Sequence, residues 1–307
     1  MLADKPFISK LMIFLGLCLL CISVFTFLGF GLVTLVFHLD LINDPALLSQ
    51  YELPGVVNAL KVMQTFSALG LFIVPAILAS WLFSDKPAAY VYLLKPPTFT
   101  ATLLVIVILF SCLPIINWLV FLNQQMSLPA IFSGIEEWMK NSEAEAAKLT
   151  EVFLSTTSTT GLFANILMIA LIPAIGEELL FRGVLQRLLS DALKNKHVAI
   201  FISAALFSAL HMQFYGFIPR MMLGVLFGYF LFWSNSLWLP MIGHFINNAS
   251  AVIFAFYAAK SKLPFDQDTI GAQPDDQFLL ISSTLISVCC IVLFYRITKE
   301  KKQVESI

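Results

Sequence analysis

The sequence has little charge. Only 12% of its 307 residues are Asp, Glu, Lys or Arg, whereas these residues make up about 25% of a typical soluble domain. The formal net charge at pH 7 is -1, and the arginines are scattered, so no basic face is available to neutralise phosphates. A nucleic acid is therefore not an expected partner.

The sequence also lacks a cysteine framework. Its five cysteines lie within apolar stretches, and no spaced pair has a histidine nearby, as a structural zinc site would need. No polar stretch is long enough to form a separate soluble domain. We interpret the cysteines as small apolar residues.

Hydrophobic residues dominate: they make up 59% of the chain, and the mean hydropathy is +0.88. A membrane-spanning helix needs about 20 consecutive apolar residues, and runs near that length recur along the sequence. The first is too long for the apolar region of a signal peptide and is expected to be a retained anchor. We predict an all-α, polytopic membrane helix bundle with about eight transmembrane helices: Phe7–Phe37, Val57–Phe83, Phe99–Leu122, Phe153–Glu178 and beyond, Val198–Phe214, Phe217–Trp233, Leu237–Ala259 and Phe278–Tyr295.

The basic residues indicate an orientation in the membrane. With a cytoplasmic N-terminus, most lysines and arginines fall in cytoplasmic segments, so both termini are predicted to be cytoplasmic. Residues 1–150 would hold three transmembrane helices and an acidic loop that favours a short surface helix with a solvated acidic face. Residues 151–260 would form the functional core, and residues 261–307 a loop, a last transmembrane helix and a basic cytoplasmic tail.

Ionisable residues inside spanning helices are costly and usually mark function. The first such group is EELLFR, residues 177–182. Glu178 and Arg182 share a helix face in the favourable order, so Arg182 can pair with Glu178 in a supporting role and leave Glu177 free. The alternative is that both carboxylates are interfacial, pair with Arg182 and Arg187, and hold the helix end at the cytoplasmic surface.

Two further groups follow on later helices. FSALH ends at His211, and HFINN carries His244 and Asn248, which are four residues apart and so share a face. His211 could instead be a satisfied structural histidine. His244 and Asn248 could simply tie neighbouring helices together by hydrogen bonds.

Hairpin counting indicates that these groups can meet. About a turn near Asn195, Glu177 and His211 differ in height by only about 3 Å at a rise of 1.5 Å per residue. By the same measure Asn248 is level with His211, and His244 lies about 7 Å lower, a gap that helix tilt can close. A buried carboxylate, two imidazoles and an amide suit hydrolysis at a site that Glu177 serves as general base.

In this scheme Glu177 and His211 activate a water, while His244 and Asn248 donate hydrogen bonds to the oxyanion that develops on a peptide carbonyl. The three motifs, Glu-Glu-x-x-x-Arg, Phe-x-x-x-His and His-x-x-x-Asn, resemble those of the CAAX protease and bacteriocin-processing family of intramembrane endopeptidases, which includes the CAAX prenyl protease 2 type. The resemblance covers about residues 153–250. It implies an eight-helix bundle with an active site inside the membrane and the same four roles.

Metal dependence stays open at this stage. The resemblance allows one zinc ion or a metal-free glutamate mechanism. Glu177, His211 and His244 would supply three zinc ligands with a water in the fourth position. No His-Glu-x-x-His pair supports metal binding in the sequence.

The leading hypothesis is thus an integral membrane endopeptidase with membrane lipid and a protein or peptide substrate as partners. One alternative is a non-catalytic membrane protein of the same fold, such as an immunity or partner-binding protein. Another is a proton-coupled carrier, although carriers usually contain structural repeats, and none is found here. The sequence does not name the substrate, because a fold and its site chemistry do not identify a partner.

Overall fold

The computed structural model describes residues 2–41, 43–261, 270–273 and 275–304. Over these ranges the chain forms helices and contains no strand, which confirms the predicted all-α membrane bundle. Nine helices have 15 residues or more, and short helical turns join several of them. They are α1 (Phe7–Phe37), α2 (Val56–Phe83), α3 (Phe99–Gln124), α4 (Ser133–Leu154), α5 (Thr159–Leu193), α6 (Lys196–Leu210), α7 (Phe217–Ser234), α8 (Trp238–Ser261) and α9 (Gln277–Val304).

Seven of the helices are long and apolar enough to cross a membrane. The expected span Val198–Phe214 is shorter than predicted, because α6 has 15 residues and its length of about 22 Å falls short of a hydrocarbon core of about 30 Å. Helix α6 stops where Met212 adopts a left-handed conformation with φ 54°. The chain then turns through Phe214–Gly216 into α7.

The start of the fourth predicted span was wrong. Phe153 belongs to the last turn of α4, and the membrane helix α5 begins at Thr159. Ser158 caps α5, since its hydroxyl oxygen accepts a hydrogen bond from the backbone N–H of Gly161 at 3.0 Å. Serine is a preferred residue at this capping position.

The outer helices expose apolar side chains. On α1, Phe27 is 74% exposed, and on α9 Phe278 is 83% exposed. Exposed apolar side chains in this number are unfavourable in water and suit contact with lipid. The helices also satisfy their own backbone polar groups, which a lipid environment requires.

Helices α2 and α5 contain π-helical segments next to prolines. Leu69–Ile73 precedes Pro75, and Ile166–Leu171 precedes Pro173. Proline has no backbone N–H, so the carbonyl four residues earlier loses its helical partner. Such irregular turns are frequent at functional sites, and a third π-helical segment, Glu178–Leu185, carries most of the first motif.

Helix α4 confirms the expected surface helix on the acidic loop. Glu136 and Lys140 form an ion pair at 2.7 Å in which the lysine is exposed and the glutamate is half-buried. The hydrogen bond from Lys140 lowers the pKa of Glu136. The acidic face is not wholly solvated, however, because Glu143 accepts a hydrogen bond at 3.2 Å from the backbone N–H of Tyr215, in the turn between α6 and α7.

The three-part division of the chain stays a prediction, as does the orientation of the termini. Most of the loop expected after α8, residues 262–269, lies outside the described residues.

Serine hydroxyls tie α9 to α3, with Ser287 donating to Ser111 at 2.9 Å. Hydroxyl groups often join membrane helices in this way.

Candidate active site

Three helices bring the residues of the three motifs to one cavity. Glu177 lies in the middle of α5, His211 follows the last residue of α6, and His244 and Asn248 lie on α8. All four line a cavity of about 450 Å³. The hairpin counting had allowed this meeting, and the structure shows it.

Tight turns set the heights of these residues. Lys194 adopts a left-handed conformation after α5, and the Asn195 side chain then caps α6 by accepting from the backbone N–H groups of His197 and Val198. Asn235 takes the left-handed conformation after α7, with φ 55°. Because the turns are short, α5, α6, α7 and α8 run alternately up and down.

Glu178 and Arg182 form an ion pair at the centre of the bundle. Arg182 Nη1 lies 2.7 Å from Glu178 Oε1, and the two side chains are only 1% and 0% exposed. Arg182 Nη2 also donates to the Gly224 carbonyl at 3.1 Å, and the guanidinium lies over the Phe207 and Phe227 rings. The alternative of an interfacial pair is therefore wrong.

His244 is held by Glu178. Its Nδ1 lies 2.9 Å from Glu178 Oε1, and its ring stacks on Phe227 and meets the edge of Phe207. A carboxylate can only accept a hydrogen bond, so Nδ1 carries a proton. The other nitrogen, Nε2, then points toward Glu177, whose Oε2 is 3.8 Å away.

Glu177 is buried, at 7% exposure, but its carboxylate is not fully used. Its Oε2 atom has no hydrogen-bond partner among the described residues. A buried charged oxygen without a partner is costly, and such groups call for a functional explanation. Oε2 of Glu178 also has no hydrogen-bond partner among the described residues, so the cavity is what separates the two glutamates: Glu178 Oε1 is bonded to Arg182 and His244, whereas Glu177 lines the cavity.

His211 is oriented by the backbone of its own helix. Its Nδ1 lies 2.9 Å from the carbonyl oxygen of Phe207, and since a carbonyl only accepts, Nδ1 must donate. Nε2 of the neutral ring is left as an acceptor. His211 also lines a second cavity with Glu177 and with Gln64 of α2.

Asn248 is positioned by the irregular part of α5. Its Nδ2 donates to the Ile169 carbonyl at 3.1 Å, and its Oδ1 accepts from Asn247 Nδ2 at 3.1 Å. Ile169 stands four residues before Pro173, which has no N–H to give it. One amide N–H of Asn248 therefore remains for a ligand, because an amide nitrogen carries two.

The donors do not form a metal site in this structure. Among the described residues, no group of three or more His, Cys, Asp or Glu side chains could hold a metal ion. Glu177 and His244 approach each other at 3.8 Å, but His211 does not join them as a third ligand. The possible zinc set of Glu177, His211 and His244 is thus not supported.

Sequence reasoning missed several residues around the site. Gln64 and Arg220 line the cavity, although neither belongs to a motif. Buried Asn123 fixes the turn beyond His211, since its Nδ2 donates to the Phe214 carbonyl and its Oδ1 accepts from the Ile218 N–H at 2.8 Å. Only the polarity of these residues next to apolar runs could have indicated them.

The fold and the site define a polytopic helical membrane protein with a buried polar centre. Residues 159–250 match a family model described as type II CAAX prenyl endopeptidase, Rce1-like. The match confirms the resemblance predicted from the motifs, covers all four residues at the cavity, and supports a protease at the level of the family.

A curated relative is the uncharacterized protein YpbD of Bacillus subtilis (strain 168). It is 33% identical over 89 residues, which are 28% of this chain and 42% of the relative. The matched segment thus spans less than half of that relative's length. No solved structure matches the chain.

Proposed function

We propose that this protein is an intramembrane endopeptidase that hydrolyses a peptide bond in a membrane-associated protein or peptide. The observation that carries the proposal is the unpartnered oxygen of Glu177, buried at a cavity that His211, His244 and Asn248 also line. Membrane lipid and the substrate are the partners, and both termini are proposed to be cytoplasmic.

Charge balance explains how Glu177 can serve as a base. Glu178 and Arg182 neutralise each other, so the groups left to balance the charge of Glu177 are His244 and the more distant cation Arg220. An uncompensated charge in a buried site is strongly unfavourable. The 3.8 Å separation of Glu177 Oε2 and His244 Nε2 lets a shared proton pass between the two side chains through a small movement or a water.

The proposed reaction begins with a water between Glu177 and His211. Glu177 takes a proton from this water while Nε2 of His211 accepts its other hydrogen as a hydrogen bond. The water oxygen forms a bond to the carbonyl carbon of the substrate, and the carbonyl π electrons move onto its oxygen. The oxyanion electrons then re-form the C=O bond, the C–N bond breaks with its electron pair leaving on nitrogen, and Glu177 gives its proton to that nitrogen, so that the products are an acid and an amine.

The oxyanion needs donors that are already in place. Asn248 supplies its spare amide N–H. His244 supplies Nε2–H when the shared proton resides on the imidazole, a state that its hydrogen bond to Glu178 stabilises. Arg182 acts only through Glu178 and is a positioning residue.

The test compares wild type with Glu177→Gln in native membranes, with newly formed N- and C-terminal peptides quantified by proteomics. Because a general base contributes about 100- to 10,000-fold, we expect the products of wild type to be absent from the variant. Glu151→Gln makes the same chemical change on the exposed face of α4 and should cleave normally. A fully active Glu177→Gln protein would refute the proposal.

The same comparison distinguishes the alternatives. A non-catalytic partner-binding protein would give identical peptide termini in all three samples. A carrier would do the same. Thermal unfolding of the purified proteins in detergent checks that loss of cleavage is not loss of fold.

A further inference from the structure

Arg220 is a cation inside the cavity that no motif explains. It lies in the first turn of α7 and lines the cavity together with Glu177 and His211. Among the described residues that line this cavity, it is the one lysine or arginine. Much of the remaining lining is apolar, for example Val120, Leu149 and Leu223.

The guanidinium is held by neutral groups. Nη2 donates to Gln213 Oε1 at 2.6 Å, and Nη1 lies 3.4 Å from the Gln213 carbonyl. Glu143 and Glu177 are near enough to interact with it electrostatically, but within the described part of the chain no carboxylate lies within ion-pair distance of Arg220. This distinguishes Arg220 from Arg182, which contacts Glu178 directly.

The surroundings fix Arg220 before any ligand arrives. Gly216 leaves room for the guanidinium, since a β-carbon there would lie 3.2 Å from Arg220 Nη2. Asn123 ties down both sides of the same turn through Phe214 and Ile218. Within the described ranges this half-buried guanidinium uses two hydrogen bonds for five N–H donors, so it is prepared to bind a planar anion.

We propose that Arg220 binds a carboxylate of the peptide substrate close to the bond that is cleaved. This inference rests on the proposed function, because it places a peptide in the cavity. A peptide offers carboxylates from two sources, its C-terminus and the side chains of Asp and Glu. Arg220 thus selects substrates by charge, while the apolar lining accepts the neighbouring side chains.

The test measures binding with Glu177→Gln, which should hold substrates without cleaving them. Three probes are N-myristoylated tetrapeptides: Ala-Val-Ile-Ala with a free C-terminus, the same peptide as its amide, and Ala-Val-Asp-Ala amide. Charge-assisted hydrogen bonds correspond to about 10- to 100-fold in affinity. We expect at least one carboxylate probe to bind more tightly than the neutral amide by about this factor, and its identity reports the source.

The same probes are measured on Glu177→Gln/Arg220→Gln, where the carboxylate preference should disappear. Arg220→Lys should keep part of it, because the charge remains but the planar fork is lost. Arg296→Gln, at an exposed position on α9, is the matched control and should keep all of it. Melting curves confirm that each variant is folded.

Two results would overturn the proposal: equal binding of all three probes, or a preference that survives in Arg220→Gln. If Arg220 only supported Glu177, its replacement would slow cleavage of charged and neutral peptides equally and leave their affinities alike, which also contradicts the inference. Cleavage by wild type without a carboxylate preference would refute the role of Arg220 and leave the peptidase standing. A preference without any cleavage would refute the peptidase and leave the binding site.

Discussion

Two ion pairs of the same length allow the effect of burial to be isolated. Glu178 and Arg182 on α5, and Glu136 and Lys140 on α4, are both i,i+4 pairs with an N–O distance of 2.7 Å. They differ in environment: the side chains of the first pair are at most 1% exposed, whereas those of Lys140 and Glu136 are 61% and 16% exposed. The change to make is the same in both, replacement of the cation by methionine.

The structure predicts very different costs. Arg182→Met leaves Glu178 buried with only His244 as a partner, and removing one member of a buried pair costs about 3–5 kcal/mol. The variant also loses the hydrogen bond to Gly224. Lys140→Met removes a solvent-exposed cation, while Glu136 keeps the hydrogen bond from the Leu128 N–H, so stability should be unchanged within error.

A double replacement tests the origin of this cost. Glu178→Leu/Arg182→Met exchanges the whole ion pair for apolar side chains of similar size, a change that is often neutral for stability. We expect it to recover most of what Arg182→Met loses. It should still be inactive, because His244 no longer has the carboxylate that orients its ring.

Equilibrium unfolding in mixed detergent micelles gives the free energy of each variant, and the proteolytic assay gives its activity. Equal destabilisation by Arg182→Met and Lys140→Met would refute the reasoning about burial. A double variant as unstable as Arg182→Met would show that packing, rather than an unpaired charge, causes the loss. Full activity of the folded double variant would exclude orientation of His244 by Glu178.

Three further predictions follow from packing and from donor geometry. Gly70→Ala should lower the melting temperature, because its β-carbon would lie 2.8 Å from the backbone oxygen of Cys21. The control Gly16→Ala should not change the melting temperature, because its β-carbon would meet nothing within 4 Å. Equal melting curves would contradict the close approach of α1 and α2. Pro173→Ala should restore a backbone N–H that competes with Asn248 for its carbonyl partner, and activity should fall without loss of fold; unchanged kcat/KM would contradict this. Cleavage should persist after incubation with a zinc chelator, since the candidate ligands do not converge; loss of cleavage that zinc restores would show that they rearrange around a metal.

The helices were largely predictable because hydrophobic length is a strong signal in a membrane. Phe7–Phe37 was predicted with the bounds that the structure shows, and most other ends differ by a few residues. The errors occur where apolar residues next to a membrane helix belong to a different helix or to a turn. Phe153 extends an apolar run but lies in the last turn of α4, and Met212 and Phe214 continue the apolar run of α6 but lie in a turn.

The site was predictable in its members but not in its internal bonding. Spacing assigned Arg182 to Glu178, and the structure shows this pair. Spacing could not show that Glu178 also holds His244, because that contact joins residues 66 positions apart. Arg220 gave only a weak signal, since a lone arginine at the start of an apolar helix resembles an ordinary interfacial anchor.

The relation between Pro173 and Asn248 shows which part of this site can be predicted from the sequence and which part depends on tertiary packing. Pro173 indicates that one carbonyl of its helix lacks a donor. Counting back four residues identifies this carbonyl as that of Ile169. In a lipid environment this oxygen must find another partner. Which partner it finds depends on the approach of α8, which places Asn248 Nδ2 at 3.1 Å. Pro173 thus leaves the Ile169 carbonyl free, and this carbonyl orients Asn248, a candidate oxyanion donor. The irregular turn of α5 becomes part of the site only because α8 packs against it.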